Sequence, residues 1–319
     1  MSIMQVFRSD LLEVMQVGSP GGEGFLARTA ERSLLYDCGF AYSAPALVAQ
    51  LEDLLEQKPL DFLFLSHSHY DHASASAWIK ERWPDVIVLG SAHAARVLER
   101  PGARETMLSL NLEATREACE AGRISAAERD SFDYSLLNTL SVDQIVAEGD
   151  RIDLGSVQLE VLAAPGHTRC SLMLWLAQDR LLFGTETFGI ILDDNTVAPA
   201  ILTGHHDALA SIKKAQALHP EHILVSHQLV VSGPTATRYL ENALYWSQKV
   251  AHFVWECQSM SLAVDEVVEV LKQGYAKYEK SVEQPEAAFD LNNRLLVELL
   301  FKTPPEPPAP GIAGMRNSE

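Results

Sequence analysis

Residues 61–72 read DFLFLSHSHYDH. The run from Phe62 to Leu65 is short and wholly apolar, the pattern of a strand buried on both faces. It stops at Ser66, and the next six residues supply His67, His69, Asp71 and His72. A loop leaving the end of a strand can aim such side chains into one cavity. Neutral imidazoles suit zinc, iron and related transition metals, and a carboxylate compensates their charge. His67 and His69 are spaced to reach one ion, Asp71 and His72 a second close by. A lone histidine here would read as an ordinary surface residue. The alternation His-x-His-x-Asp-His behind an apolar strand is far more specific.

Working outward, residues 24–29 and 33–37 read as strands behind a glycine-rich turn from Gly18 to Gly24. Pro45 suits the first turn of a helix whose Leu47, Leu51, Leu54 and Leu55 recur at helical spacing. Beyond the cluster, 73–83 and 91–99 read as helices and VIVLG (86–90) as a buried strand. Residues 103–131 turn rich in Ala, Glu and Arg, and Ser125 with Glu128 forms a capping-box pattern. This predicts a helical insertion over about 103–140. Strands resume with VDQIVA (142–147), RIDL (151–154), VQLEVLAA (157–164), SLMLWLA (171–177) and RLLFG (180–184). A helix over 207–218 precedes HILVSH (222–227), a second strand that ends at a histidine.

After Gly233-Pro234 the pattern is helical. Leu240, Ala243, Trp246, Val250, Phe253 and Cys257 keep one face, and 263–278 and 286–301 follow as helices. This divides the chain into a core over 1–232, a helical extension over 233–303 and a proline-rich tail, 304–319, expected to be mobile. Alone, these elements indicate only a mixed α and β fold.

The 319 residues, 47% hydrophobic, can bury a sizeable core. Acids outnumber bases 43 to 25, a net charge of −18, which argues against a nucleic-acid partner and against an anionic membrane surface. Cys38, Cys119, Cys170 and Cys257 are too scattered for a zinc knuckle or disulfide framework and read as reduced thiols. Arg8, Asp10 and Glu13 interrupt any secretory signal, so a cytoplasmic location is expected.

The histidine cluster resembles the signature of the metallo-β-lactamase superfamily. That family carries a Pro-Gly-His-Thr turn after a strand, and Pro165-Gly166-His167-Thr168 follows VQLEVLAA here. It carries a carboxylate that bridges two ions, usually an Asp after Gly. LLFGTETF offers Glu186 instead, with Thr185 before it, and Cys170 stands where a small residue often follows the turn. It ends its ligand set with a histidine after a late strand, which His227 matches. The resemblance implies an αββα sandwich. It assigns His67, His69 and His167 to one ion, Asp71, His72 and His227 to another, and Glu186 to both. The implied cofactors are two divalent transition-metal ions, zinc or iron first and manganese as a further option. The implied reaction is hydrolysis of a thioester or ester of a small acyl substrate by a metal-bound hydroxide, with Asp71 as the residue that orients the water or relays its proton.

Tyr70, the insertion and the helical extension together look like the branch of the aminobenzoylacetyl-CoA thioesterase of bacterial quinolone signalling. Two other readings share the motifs: a lactone hydrolase, and a regulatory protein that keeps the metals but acts through a partner. A homo-oligomer is compatible with either. The extension is expected to pack over the mouth of the site; Trp246, Phe253 and Trp255 would then line an acyl pocket, although a helical apolar stripe reads by default as plain core. His205 and His206 read as polar residues capping a helix. His93, His219, His222 and His252 read as surface or packing residues.

Overall fold

The structure, a computed structural model, describes residues 3–56, 58–228, 230–275 and 286–303. Seven strands form the first sheet: β1 (Met4–Arg8), β2 (Glu13–Ser19), β3 (Gly22–Arg28), β4 (Ser33–Tyr36), β5 (Phe62–Phe64), β6 (Ile87–Gly90) and β7 (Gln144–Ile145), in that order. The pairs up to β3–β4 are antiparallel, and those from β4–β5 to β6–β7 are parallel. The second sheet uses β8 (Arg151–Asp153), β9 (Gln158–Ala163), β10 (Leu172–Leu176) and β11 (Leu181–Phe183). A hairpin of β12 (Ile190–Asp193) and β13 (Thr196–Ala198) stands apart. β14 (His222–Leu224) and β15 (Val230–Ser232) then complete the second sheet, in the order β15-β14-β11-β10-β9-β8.

The central strands, such as β4, β10 and β11, are apolar on both faces because each sheet is covered twice. On β4, Leu34 and Tyr36 enter the layer between the sheets, and Leu35 faces the opposite way. On β10, Leu172, Leu174 and Leu176 meet that inner layer while Met173 and Trp175 face outward. Period-two alternation thus serves two cores at once. The outer face of the first sheet is covered by α1 (Ala44–Leu55), α3 (Ser76–Arg82) and α5 (Pro101–Glu120). Between them in the chain lie the short helices α2 (Tyr70–Ala73) and α4 (Ala92–Leu98). After α6 (Ala126–Ser131), the helices α7 (His205–Ala217) and α8 (Pro234–Ser259) cover the outer face of the second sheet. The result is the expected αββα sandwich. Between the sheets the Tyr36 hydroxyl donates to the carbonyl of Gly184, at 2.8 Å. This satisfies a phenol that would otherwise be stranded in the core.

The end of α8 packs with α9 (Val264–Tyr275) and α10 (Glu286–Lys302) through Val254, Cys257, Val267, Leu271, Leu296 and Leu300. The insertion begins at Pro101, in the first turn of α5, and the Ser125–Glu128 capping box opens α6. Asn111 of α5 ties it to the core: its amide oxygen accepts from the Ala41 N–H, and its amide nitrogen donates to Ser74 Oγ. The expected tail, 304–319, and the end of the helix expected over 263–278 lie outside the described residues.

Three local expectations change. Ser19 pairs directly with Gly22, so the glycine-rich turn shrinks to Pro20 and Gly21, the latter at φ +77°. Proline followed by a left-handed glycine is a two-residue turn that can join antiparallel strands. Gly24 lies within β3, where a Cβ would come 2.4 Å from the Asp37 carbonyl oxygen. VDQIVA supplies only the two residues of β7, since the Asp143 side chain takes the Val88 N–H at this sheet edge. Residues 4–19 form two paired strands that the sequence pattern did not announce.

Candidate metal centre

The centre lies where the parallel strands of both sheets end. The loop after β5 is held across the sandwich: Leu65 N–H donates to Leu89, Ser66 N–H to the Asp37 carboxylate, and Leu172 N–H to the Ser66 carbonyl. His67 and His69 project from this loop, and Asp71 and His72 from α2 directly behind it. His167 sits on the turn after β9. Gly166 is at φ +141° there, and a Cβ would lie 2.5 Å from the Ala208 side chain on α7. Only glycine permits both that dihedral and that approach. Its carbonyl accepts from the N–H groups of Leu202, Thr203 and Gly204, fastening the turn to the start of α7. Glu186 opens a short 3-10 turn after β11. His227 follows β14 at φ +59°, a conformation uncommon for a residue with a Cβ.

All seven residues converge. His67, His69, His167 and Glu186 offer ligand atoms within 4.8 Å of one another, and so do Asp71, His72, His227 and Glu186. His69 Nδ1 and His167 Nε2 are 2.9 Å apart, as are His72 Nε2 and His227 Nε2. Glu186 stands between the groups. Its Oε2 is 2.5 Å from His167 Nε2, whereas its Oε1 is 3.4 Å from His72 Nε2 and also contacts His227 Nε2. The longer side chain therefore presents one oxygen to each group.

The outer nitrogens set the tautomers. His167 Nδ1 lies 2.7 Å from the Ala200 carbonyl, which can only accept, so Nε2 carries the lone pair. His72 Nδ1 lies 2.8 Å from Asp37 Oδ2. The same carboxylate accepts the Ser66 hydroxyl at 2.7 Å, and Ser66 Oγ is 3.0 Å from His67 Nδ1. One buried carboxylate thus orients two imidazoles, directly and through a hydroxyl, with both Nε2 lone pairs facing inward. Asp37, at φ +58°, and Ser66 were not singled out in the sequence. The available signal was an acid at the end of the buried run LLYD.

Burial first, and then the neighbouring imidazoles, push His67 well below its ordinary range. Burial and His167 bring His69 down to about 3. Burial also opposes charge on His72 and His227, but the carboxylates of Asp37 and Glu186 respectively outweigh it and raise both. Burial raises Asp71. For Glu186, burial acts upward but the His167 and His227 charges prevail and hold it well below the usual carboxylate range. His67 Nε2, the ring nitrogen opposite the one beside Ser66, is buried and has no hydrogen-bond partner. A buried polar atom without a partner costs free energy, and a cation held by the cluster would satisfy it. The donor set, imidazoles with carboxylates, fits divalent transition metals.

A cavity of about 700 Å³ opens beside the cluster, lined by Tyr70, Asp71 and Glu186 at its base. Cys170 lines it too, with Sγ 3.1 Å from Thr168 Oγ1 and 3.4 Å from Ser68 Oγ. The walls are α4 and α5 on one side and α10 on the other. The extension therefore flanks the site, but through α10. Trp246 instead donates its indole N–H to Asn195 on the β12–β13 hairpin, and Phe253 packs among α8, α9 and α10. His205 does not cap α7. It is buried, with Nε2 3.4 Å from the Ser247 carbonyl and its ring against Trp255. His93, read as a surface or packing residue, lines the cavity.

The sequence profile described as "Metallo-beta-lactamase superfamily" matches residues 24–227. The chain belongs to this superfamily, whose core is the sandwich and whose matched span ends at His227. A hydroxyacylglutathione hydrolase of Rhizobium meliloti (strain 1021) is 24% identical over 169 residues, 51% of this chain and 50% of that protein. The chain thus spans about half the length of this curated relative. Among solved structures, the metallo-beta-lactamase family protein TTHA1429 from Thermus thermophilus superposes with a TM-score of 0.62 at 14% identity, covering 91% of this chain and 93% of that one. A double mutant of the sec-alkyl sulfatase PisA1 gives the same TM-score and identity over 94% of this chain and 50% of that one. These structural likenesses speak to the fold. Among the described residues, no helix is long and apolar enough to cross a membrane.

Proposed function

We propose that this protein is a dinuclear metal-dependent hydrolase that cleaves a thioester or ester, of the branch that the aminobenzoylacetyl-CoA thioesterase represents. The observation that carries the reading is Glu186, which turns one carboxylate oxygen to each of two triads. A site for a single ion would need neither the second triad nor a shared ligand. Zinc or iron best suits the donors, with manganese as the alternative. The named activity of the Rhizobium relative, hydrolysis of an acylglutathione, lends support, since that substrate is a thioester.

Two bound ions would acidify a water and polarise the carbonyl under attack. The chain's own residues do the rest. Asp37 and the Ala200 carbonyl hold the imidazoles in one tautomer, so the lone pairs need no reorganisation when substrate arrives. The Asp71 carboxylate, which lines the cavity beside His227, can take or return a proton at the nucleophilic water. The apolar walls of α5 and α10 exclude water from the acyl group. A thiolate departs without a strong acid, and Tyr70, whose phenol burial pushes far above its ordinary value, stays a neutral hydrogen-bond donor beside it. The test is elemental analysis joined to a panel of thioesters, esters and lactones with a chelator control. Two ions per chain and chelator-sensitive turnover are expected. Turnover confined to lactones would move the substrate class, and a metal-loaded protein inert to the whole panel would sink the reading.

A further inference from the structure

The chain carries a net charge of −18, yet the cavity above the metal centre is rimmed by Arg100, Arg169 and Lys302. Arg100 precedes the first turn of α5, Arg169 follows the Pro-Gly-His-Thr turn, and Lys302 ends α10, so three separate segments bring cations to one opening. Several arginines elsewhere are neutralised: Arg28 pairs with Glu13, Arg116 with Glu113 and Glu120, and Arg129 with Asp130. Among the described residues, Arg100 and Arg169 have no carboxylate oxygen within 4.0 Å. Lys302 has Glu298 at 3.8 Å, so its charge is partly answered from its own helix. His93, between these segments, is pushed down first by its burial and then by Arg96, Arg100 and Arg169. Both cavity guanidiniums are thus felt at one point. The same cavity is lined by the apolar side chains of Val97, Met107, Leu110, Leu295 and Leu299. Uncompensated guanidiniums over an apolar cleft make a receptor for a planar or tetrahedral oxyanion, because the fork of N–H donors matches carboxylate and phosphate and the low-dielectric walls focus the field.

We propose that this cavity selects substrates with an apolar segment next to the scissile carbonyl and an oxyanionic group further along, which Arg100 and Arg169 receive. This rests on reading the cavity as the substrate pocket of the hydrolase proposed above. The shared chemistry is that of a carboxylate or a phosphate, and the two sources are separable.

The test uses three thioethers that cannot be hydrolysed: S-octylpantetheine, its 4′-phosphate and its 4′-hemisuccinate. Their binding to the metal-loaded protein is measured by calorimetry. At low salt, at least one anionic form should bind about tenfold or more tighter than the neutral form, and the gap should narrow in about 0.5 M salt. Preference between phosphate and hemisuccinate names the source. The double variant Arg100→Gln/Arg169→Gln, checked for metal content and melting temperature, should lose most of the gap. Arg129→Gln, with the same change in charge per substitution, should keep it. Equal affinity for all three thioethers, no binding of any, or a gap that survives in the double variant overturns the proposal. The ligands report binding alone, so a protein that discriminates between them but turns over no ester or thioester would refute the hydrolase reading and leave Arg100 and Arg169 as an oxyanion receptor without a scissile substrate.

Discussion

Asp37 Oδ2 sits 2.8 Å from Nδ1 of His72, across a gap of 35 residues in the chain. The contact joins the end of β4 to the helix that follows β5, and the same carboxylate reaches His67 through Ser66. Asparagine tolerates the left-handed backbone at position 37 but offers only one accepting oxygen. Asp37→Asn is expected to weaken metal binding about 10- to 100-fold with the fold intact. Competition with a graded series of chelators measures this, and unchanged affinity would detach Asp37 from the site.

His69→Ala removes one of three imidazoles from the first group. It should reduce the metal content and lower turnover by more than about 100-fold, the larger loss being expected for a direct ligand than for its hydrogen-bond partner. His252→Ala, on the exposed face of α8, should change neither. Equal losses in the two variants would show that the wrong cluster has been chosen.

Glu186→Asp shortens the shared carboxylate by one methylene. The 3-10 turn that begins at this residue fixes its backbone, so the shorter side chain cannot contact both His167 and His227. The variant should hold fewer than two ions per chain and lose activity in proportion. Full occupancy would mean that the turn moves freely, contrary to its buried position.

Gly166→Ala should cost at least about 2 kcal/mol of stability, from a disfavoured dihedral and a collision with Ala208. A denaturant melt of the metal-loaded protein measures it. A change below half that amount would show that α7 gives way easily.

Selectivity for acyl length should follow α10. Leu295→Phe fills part of the cavity and should shift preference toward shorter acyl chains at constant metal content. Trp246→Ala should lower the melting temperature and leave the preference alone, because that ring packs on the β12–β13 hairpin. A shift in preference with Trp246→Ala alone would restore α8 as the wall of the pocket.

The cluster was legible because its chemistry is concentrated. His67, His69, Asp71 and His72 fall in one window behind an apolar strand, and His167 and His227 each close a similar run. The strands of the sandwich were legible for the same reason, being short apolar runs. What escaped depended on partners remote in the chain. Asp37 looks like any acid at a strand end until β4 and β5 are side by side. β1 has a half-exposed, mixed sequence with no strong period, and pairing with β2 makes it a strand. The apolar stripe of α8 was read correctly as a stripe, but its target was not, because periodicity says which face is buried and not against what. The cations at the cavity rim come from three segments that no local pattern connects.

The hydrogen bond from Tyr36 to Gly184 has a consequence for how the centre fills. Each group of candidate ligands draws on both plates of the sandwich: His67, His69, Asp71 and His72 follow β5, whereas His167, Glu186 and His227 follow β9, β11 and β14. Tyr36 immediately precedes Asp37, and Gly184 stands two positions before Glu186, so this bond acts as a spacer bar between the plates. If the plates slip, both groups open together. Uptake of metal should then be steep rather than stepwise, the first ion clamping the plates at the spacing that the second requires.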